Sequence, residues 1–231
     1  MKNAYSDTNI DVIFFGYRPW ALKIANNLLN SHYPYWKIAK IIKEEDPDLN
    51  LCLKDVNKDT ILLFYGWSWK IPKEIYEKHL CLILHTSPLP KYRGGSPLQH
   101  QIIAGEKTSA VTICKVEEQI DSGAIYSQTP FSLDGSLEHI LYVIAEIGTI
   151  DTLRVLDAIA RFKITPISQD EEQATLFKRR KPEESELTIE DLKTMTAKQI
   201  YNFIRALADP YPNAFIRSRD GKKVYLTGAK I

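Results

Sequence analysis

Asp11-Val-Ile-Phe-Phe15, closed by Gly16 and followed by Ala21, Ile24, Ala25, Leu28 and Leu29, decides the fold of this chain. The first run is short, apolar and rich in β-formers. The later apolar positions recur at the spacing of one helix face. Strand, glycine turn and helix in that order open a parallel α/β unit. Only one glycine stands at the turn, so the G-x-G-x-x-G fingerprint of a dinucleotide site is absent.

The alternation continues outward from there. Residues 38–42 read as a second strand. Thr60-Ile-Leu-Leu-Phe-Tyr65 reads as a third, continuously apolar as a buried parallel strand should be. It runs into Gly66-Trp67-Ser68-Trp69. Pro72 then opens a short helix over residues 73–79. Residues 81–84 form a fourth strand, with His85 at its carboxyl end, where ligands of open α/β sheets bind. Ser96-Pro97 opens a helix over 98–104. Residues 110–116 and 125–131 read as strands, and 137–161 as a long helix. The pattern predicts an α/β fold, a Rossmann-like and mostly parallel sheet with flanking helices, over residues 1–165.

Residues 166–231 predict a smaller appendage. The polar run 164–186 carries Gln169-Asp-Glu-Glu-Gln173 and Lys178-Arg-Arg-Lys181 and reads as a connector. A helix over 196–207 places Ile200, Phe203, Ile204 and Leu207 on one face, and Asp209-Pro-Tyr-Pro212 breaks it. Residues 215–217 and 223–226 flank Arg219-Asp220-Gly221, the signal of a β-hairpin. Its apolar residues Phe215, Val224 and Leu226 have little chain left to cover them, which predicts a homodimer.

The 231 residues suit one domain with a small appendage. Apolar residues make up 44% and charged residues 26%, an ordinary globular mixture. With 30 basic and 29 acidic residues, the net charge of +1 argues against a broad nucleic-acid footprint. Cys52, Cys81 and Cys114 are widely spaced and odd in number. Cys81 and Cys114 lie in apolar runs, as buried free thiols do, which fits a reducing cytoplasm. No apolar run approaches the ~18 residues of a membrane span, and MKNAYSDTN lacks the apolar segment of a signal peptide. No Cys/His cluster suggests a metal.

The chemistry concentrates in Leu84-His-Thr-Ser-Pro-Leu-Pro-Lys-Tyr-Arg-Gly-Gly-Ser-Pro97 and in Ile120-Asp121-Ser122-Gly123. Together they resemble the signature of the folate-dependent formyltransferases, H-x-S-x-L-P-x-x-R-G-x-x-P followed by D-[ST]-G. The resemblance implies that His85 and Asp121 are catalytic. His85 would stabilise an oxyanion and relay protons, and Asp121 would orient the imidazole. Taken alone, His85 could be a buried structural histidine and Asp121 a turn residue. The family's third group, an Asn two residues before the His, is here Ile83. A backbone N–H or another amide would have to replace it, and Gln99 and Gln101 stand near the start of the next helix as candidates.

The resemblance extends to other segments. Tyr65, Gly66, Trp67 and Ile71 match the region that receives the pterin of 10-formyltetrahydrofolate, with Glu117, Ile120 and Asp121 in the opposite wall. The bland alternative is two core tryptophans at Trp67 and Trp69. Ser87, Tyr92, Arg93 and Gly94 would face the acceptor, or would merely brace a surface loop. Arg205-Ala-Leu-Ala-Asp-Pro-Tyr-Pro-Asn-Ala-Phe215 resembles a packing pattern found after the catalytic domain in methionyl-tRNA and amino-sugar formyltransferases. The tRNA enzymes carry a further barrel domain and a basic surface. The absence of both here favours the compact sugar N-formyltransferases, whose acceptor is a nucleotide-linked amino sugar. A methionyl-tRNA enzyme, or a non-catalytic binding protein marked by Ile83, are the alternatives.

Overall fold

The computed structural model describes residues 9–231. In chain order these residues form β1 (Ile10–Phe15), α1 (Pro19–Leu29), β2 (Trp36–Ile42), α2 (Leu49–Cys52), β3 (Ile61–Tyr65), α3 (Lys73–Lys78), β4 (Cys81–His85) and β5 (Arg93–Gly94). Next come α4 (Pro97–Ala104), β6 (Thr108–Lys115), β7 (Ile125–Ser132), α5 (Leu137–Ala160), β8 (Leu176–Phe177), α6 (Ile189–Thr194), α7 (Ala197–Ala206), β9 (Phe215–Arg217) and β10 (Lys223–Tyr225).

The central sheet has the strand order β2-β1-β3-β4-β6-β7. β1 pairs parallel with β2 and β3, β3 pairs parallel with β4, and β6 joins β4 antiparallel. The expected mostly parallel sheet with flanking helices is therefore present. The register sets Phe15 beside Phe64, Phe64 beside Ile83 and Ile83 beside Cys114. Neighbours directly across a sheet share a face. That face carries a buried cluster of Ile13, Phe15, Leu62, Phe64, Ile71, Ile75 and Cys81. The alternate residues of the strands face α1 and α5. There Gly148 of α5 leaves no room for a side chain, because a Cβ would stand 2.7 Å from both Ile24 and Leu84. Each large apolar side chain fully buried in these layers contributes roughly 1.5–3 kcal/mol.

The chain divides into two compact units. One comprises the residues up to His85 with Val111–Thr129 and Ile144–Gln169. The other comprises Thr86–Ala110, Pro130–Val143 and Asp170–Ile231. In the second unit, Ile204, Leu207 and Ala214 are buried among Ile103, Ile200, Phe203 and Leu226. Thr196 caps α7 in a reciprocal box. Its backbone N–H donates to Gln199 Oε1 at 2.8 Å and its hydroxyl accepts from the Gln199 N–H at 3.3 Å. Arg205 donates to the carbonyls of Leu133 and Gly135 at 2.7 and 3.1 Å, so the Arg205–Phe215 pattern serves packing.

Two features of the appendage depart from expectation. The polar run read as a plain connector contains β8, which pairs parallel with β5 of the R-G-G loop. Phe215, expected to lie on an uncovered hairpin face, is buried at 1% exposure, and the outward apolar residues of the hairpin are Val224 and Tyr225.

Candidate active site

His85 ends β4, and Thr112 of β6 stands directly opposite it. Both are buried. Asp121 lies on the turn after β6, with its carboxylate Oδ2 3.4 Å from His85 Nδ1 and only about a tenth of either side chain exposed. An ionised carboxylate only accepts, so an imidazole facing it through Nδ1 donates from that nitrogen. Beside them the amide of Gln128 donates to the Thr112 hydroxyl at 3.1 Å. With Nδ1 facing a carboxylate, a charged imidazolium can donate its Nε2–H to a developing oxyanion, and the neutral ring can accept a proton there.

The Asp121 turn is tightly specified. Asp121 itself takes a left-handed backbone, φ 55°. That conformation is uncommon outside glycine, although Asp tolerates it better than most residues. Gly123 passes so close to β6 that a Cβ there would lie 2.0 Å from the Lys115 carbonyl oxygen. The side-chain amide of Gln169 donates to the carbonyls of Asp121 and Gly123, both at 2.8 Å. Sequence reasoning missed Gln169, because it sits in a polar run where nothing local distinguishes it.

Ile83 shares the His85 face two positions earlier. It packs against the same cluster as Trp67, Tyr76 and Val116. The place where the family's Asn would offer an amide is therefore apolar.

The segment expected to receive the pterin begins where β3 ends. Trp67 makes edge contacts with Phe15, Phe64 and Trp69 at centroid distances of 5.9, 5.4 and 5.0 Å, and Tyr17 lies against Trp69 at 5.1 Å. Both tryptophans are half-buried, so they are part core and part surface. Ile71 is buried beneath them. Tyr65 points to the opposite sheet face, where its hydroxyl meets Thr152 Oγ1 at 2.9 Å. Burial pushes its phenol well above the ordinary range, and only its backbone is left for a ligand. Glu117 and Ile120 are exposed, Ile120 at 63%.

The acceptor-side candidates all lie in the second unit. Ser87 Oγ donates to the Lys91 carbonyl at 2.8 Å and so braces its own loop. Tyr92 takes a left-handed backbone, stacks on Phe177 at 4.9 Å and donates its hydroxyl to Glu106 at 2.9 Å. Burial, with Glu106 beside it, pushes its phenol up to about 12. Arg93 is 3% exposed and holds Glu171 through two hydrogen bonds of 2.8 and 2.7 Å. Gly94, at φ 95°, approaches the Phe177 carbonyl so closely that a Cβ would come within 2.2 Å of its oxygen. Gln99 is buried on α4. Gln101, the other amide candidate, spends its side chain on the carbonyls of Thr86 and Pro97 at 2.8 and 3.0 Å. Among the described residues, no helix is long and apolar enough to cross a membrane.

Residues 27–137 match the Formyl transferase family. A curated methionyl-tRNA formyltransferase from Syntrophomonas wolfei is 30% identical over 179 residues, covering 75% of this chain and 55% of the relative. The chain thus spans a little over half the length of that relative. A solved structure of methionyl-tRNA formyltransferase from Clostridium thermocellum is 30% identical, with a TM-score of 0.77 over 94% of this chain and 97% of the other. The crystal structure of a 4-N formyltransferase from Francisella tularensis shares the fold at 19% identity, with a TM-score of 0.74 over 95% of this chain and 98% of the other.

Proposed function

The chain belongs to the formyl transferase family, and from that premise we propose that it transfers a formyl group from 10-formyltetrahydrofolate to the amino group of a nucleotide-linked amino deoxysugar. The observation that carries the reading is the buried His85–Asp121 pair at the carboxyl end of a central strand. The unprotonated sugar amine attacks the formyl carbon, and a tetrahedral oxyanion forms. His85 donates to that oxygen, while Asp121 holds the ring and helps remove the amine proton. The bond from the formyl carbon to the folate nitrogen then breaks, the proton passes to that nitrogen, and tetrahydrofolate leaves. Most of the acceleration comes from positioning two bound reactants and from preset donors. The half-buried Trp67 and Trp69 offer the flat apolar surface that a fused ring requires. The reading includes a cytoplasmic location, a homodimer and no metal requirement.

A second reading takes an aminoacyl-tRNA as acceptor. It is favoured by the 30% identity to relatives named methionyl-tRNA formyltransferase. Formyl transfer from 10-formyltetrahydrofolate to dTDP-, UDP- and GDP-linked amino sugars, with charged initiator tRNA as a parallel arm and mass spectrometry of each acceptor, separates the two. Formylation of an amino sugar supports the proposal, and formylation of the tRNA alone replaces it. Folate binding without transfer to any acceptor would point to a binding protein in which Ile83 marks lost catalysis.

A further inference from the structure

We propose that Gln169 is a positioning residue for Asp121, the part of the connector that sets the geometry of the catalytic pair. This rests on the function proposed above. Ile125 and Ile167 form an antiparallel bridge, with reciprocal backbone hydrogen bonds of 2.8 and 2.9 Å. Two residues back along one strand and two forward along the other, that register sets Gln169 opposite Gly123. Facing a residue without a side chain, the Gln169 side chain lies across the turn, and its amide N–H groups reach the carbonyls of Asp121 and Gly123.

Three observations make this contact specific. Asp121 is left-handed at φ 55°, a conformation that persists only where its surroundings impose it. Gly123 cannot relax toward β6, because the Lys115 carbonyl already fills that side. The two carbonyls of the turn, those of Asp121 and Gly123, converge on one amide nitrogen, each at 2.8 Å. A side chain with two N–H donors at this reach fixes both at once. Losing those donors lets the turn rotate, and the Asp121 carboxylate moves off His85 Nδ1.

The discriminating variants are Gln169→Ala and Gln169→Glu. The second keeps length and volume but replaces the donors with a carboxylate, so a merely space-filling role survives it. The first readout needs no substrate. Long-range ¹H–¹⁵N correlation spectra of the His85 ring, assigned with His85→Ala, report which nitrogen carries the proton. We expect both Gln169 variants to show the ring signature of Asp121→Asn, with cooperative unfolding retained. The second readout is formyl transfer from 10-formyltetrahydrofolate to the acceptor found in the panel above. There kcat falls on the order of 10²-fold, as for a reacting group misplaced by about an ångström, while KM for the folate is unchanged. A wild-type ring spectrum in both variants, or in Gln169→Glu alone, overturns the proposal. If the wild-type protein transfers no formyl group, the functional reading fails, and the ring spectra still decide the role of Gln169.

Discussion

The pair His85–Asp121 carries the functional account at the scale of single residues. His85→Ala removes the proposed oxyanion donor, and Asp121→Ala leaves the ring without the carboxylate beside its Nδ1. Both variants are expected to lose formyl transfer and to keep their unfolding transition. Gln99→Ala tests the replacement for the missing Asn. If Gln99 supplies the second donor, the variant loses about 10²–10³ in rate, the value of one oxyanion contact; full activity excludes it. The two residues of the proposed pair stood out in the sequence as candidates because they sit in long motifs, and the structure brings them within 3.4 Å of each other. Gln169 was not, because its role comes from a bridge between Ile125 and Ile167 that no local pattern announces. Tyr65 was legible as a strand end, but the direction of its side chain follows from strand parity, which places it on the α5 side with Thr152.

At the scale of elements, β1, β3, β4 and α5 were readable from periodicity and length. The two-residue strands β5 and β8 were not, since two residues have no period. Their pairing makes the connector part of the R-G-G loop. Arg93 is buried and forked onto Glu171, and the hydrogen bond from Arg93 holds the Glu171 carboxyl below the ordinary carboxylate range. A carboxyl depressed in the folded state contributes stability at pH values above its unfolded pKa. That contribution is lost as the pH falls through the lower, folded value. Denaturant unfolding followed down through the carboxylate range should therefore show a steeper loss of stability in the wild type than in Glu171→Gln. Equal acid sensitivity would mean that the fork adds nothing. Gly94→Ala is a second test at this scale. Its Cβ meets the Phe177 carbonyl, so the β5–β8 pairing must open and the unfolding temperature must fall. An unchanged transition would show that the pairing does not hold the loop.

For the whole molecule, the sequence disclosed the α/β class and the mostly parallel sheet because the buried strands are continuous apolar runs between amphipathic helices. The division into two compact units escaped it, since each unit is assembled from three separated stretches of chain. Association belongs to this scale as well. Phe215 is covered within its own unit, which leaves Val224 and Tyr225, exposed at 49% and 57%, as the apolar surface of the hairpin. Light scattering at micromolar concentration should show a dimer that Val224→Asp weakens, and a monomeric wild type would remove the hairpin interface. The most direct measurement is the time course of tetrahydrofolate formation from 10-formyltetrahydrofolate with an amino-sugar nucleotide, run for the wild type beside His85→Ala and Asp121→Ala. The account predicts turnover by the wild type alone, with all three proteins unfolding in the same cooperative transition. Equal rates in the wild type and either variant would contradict it.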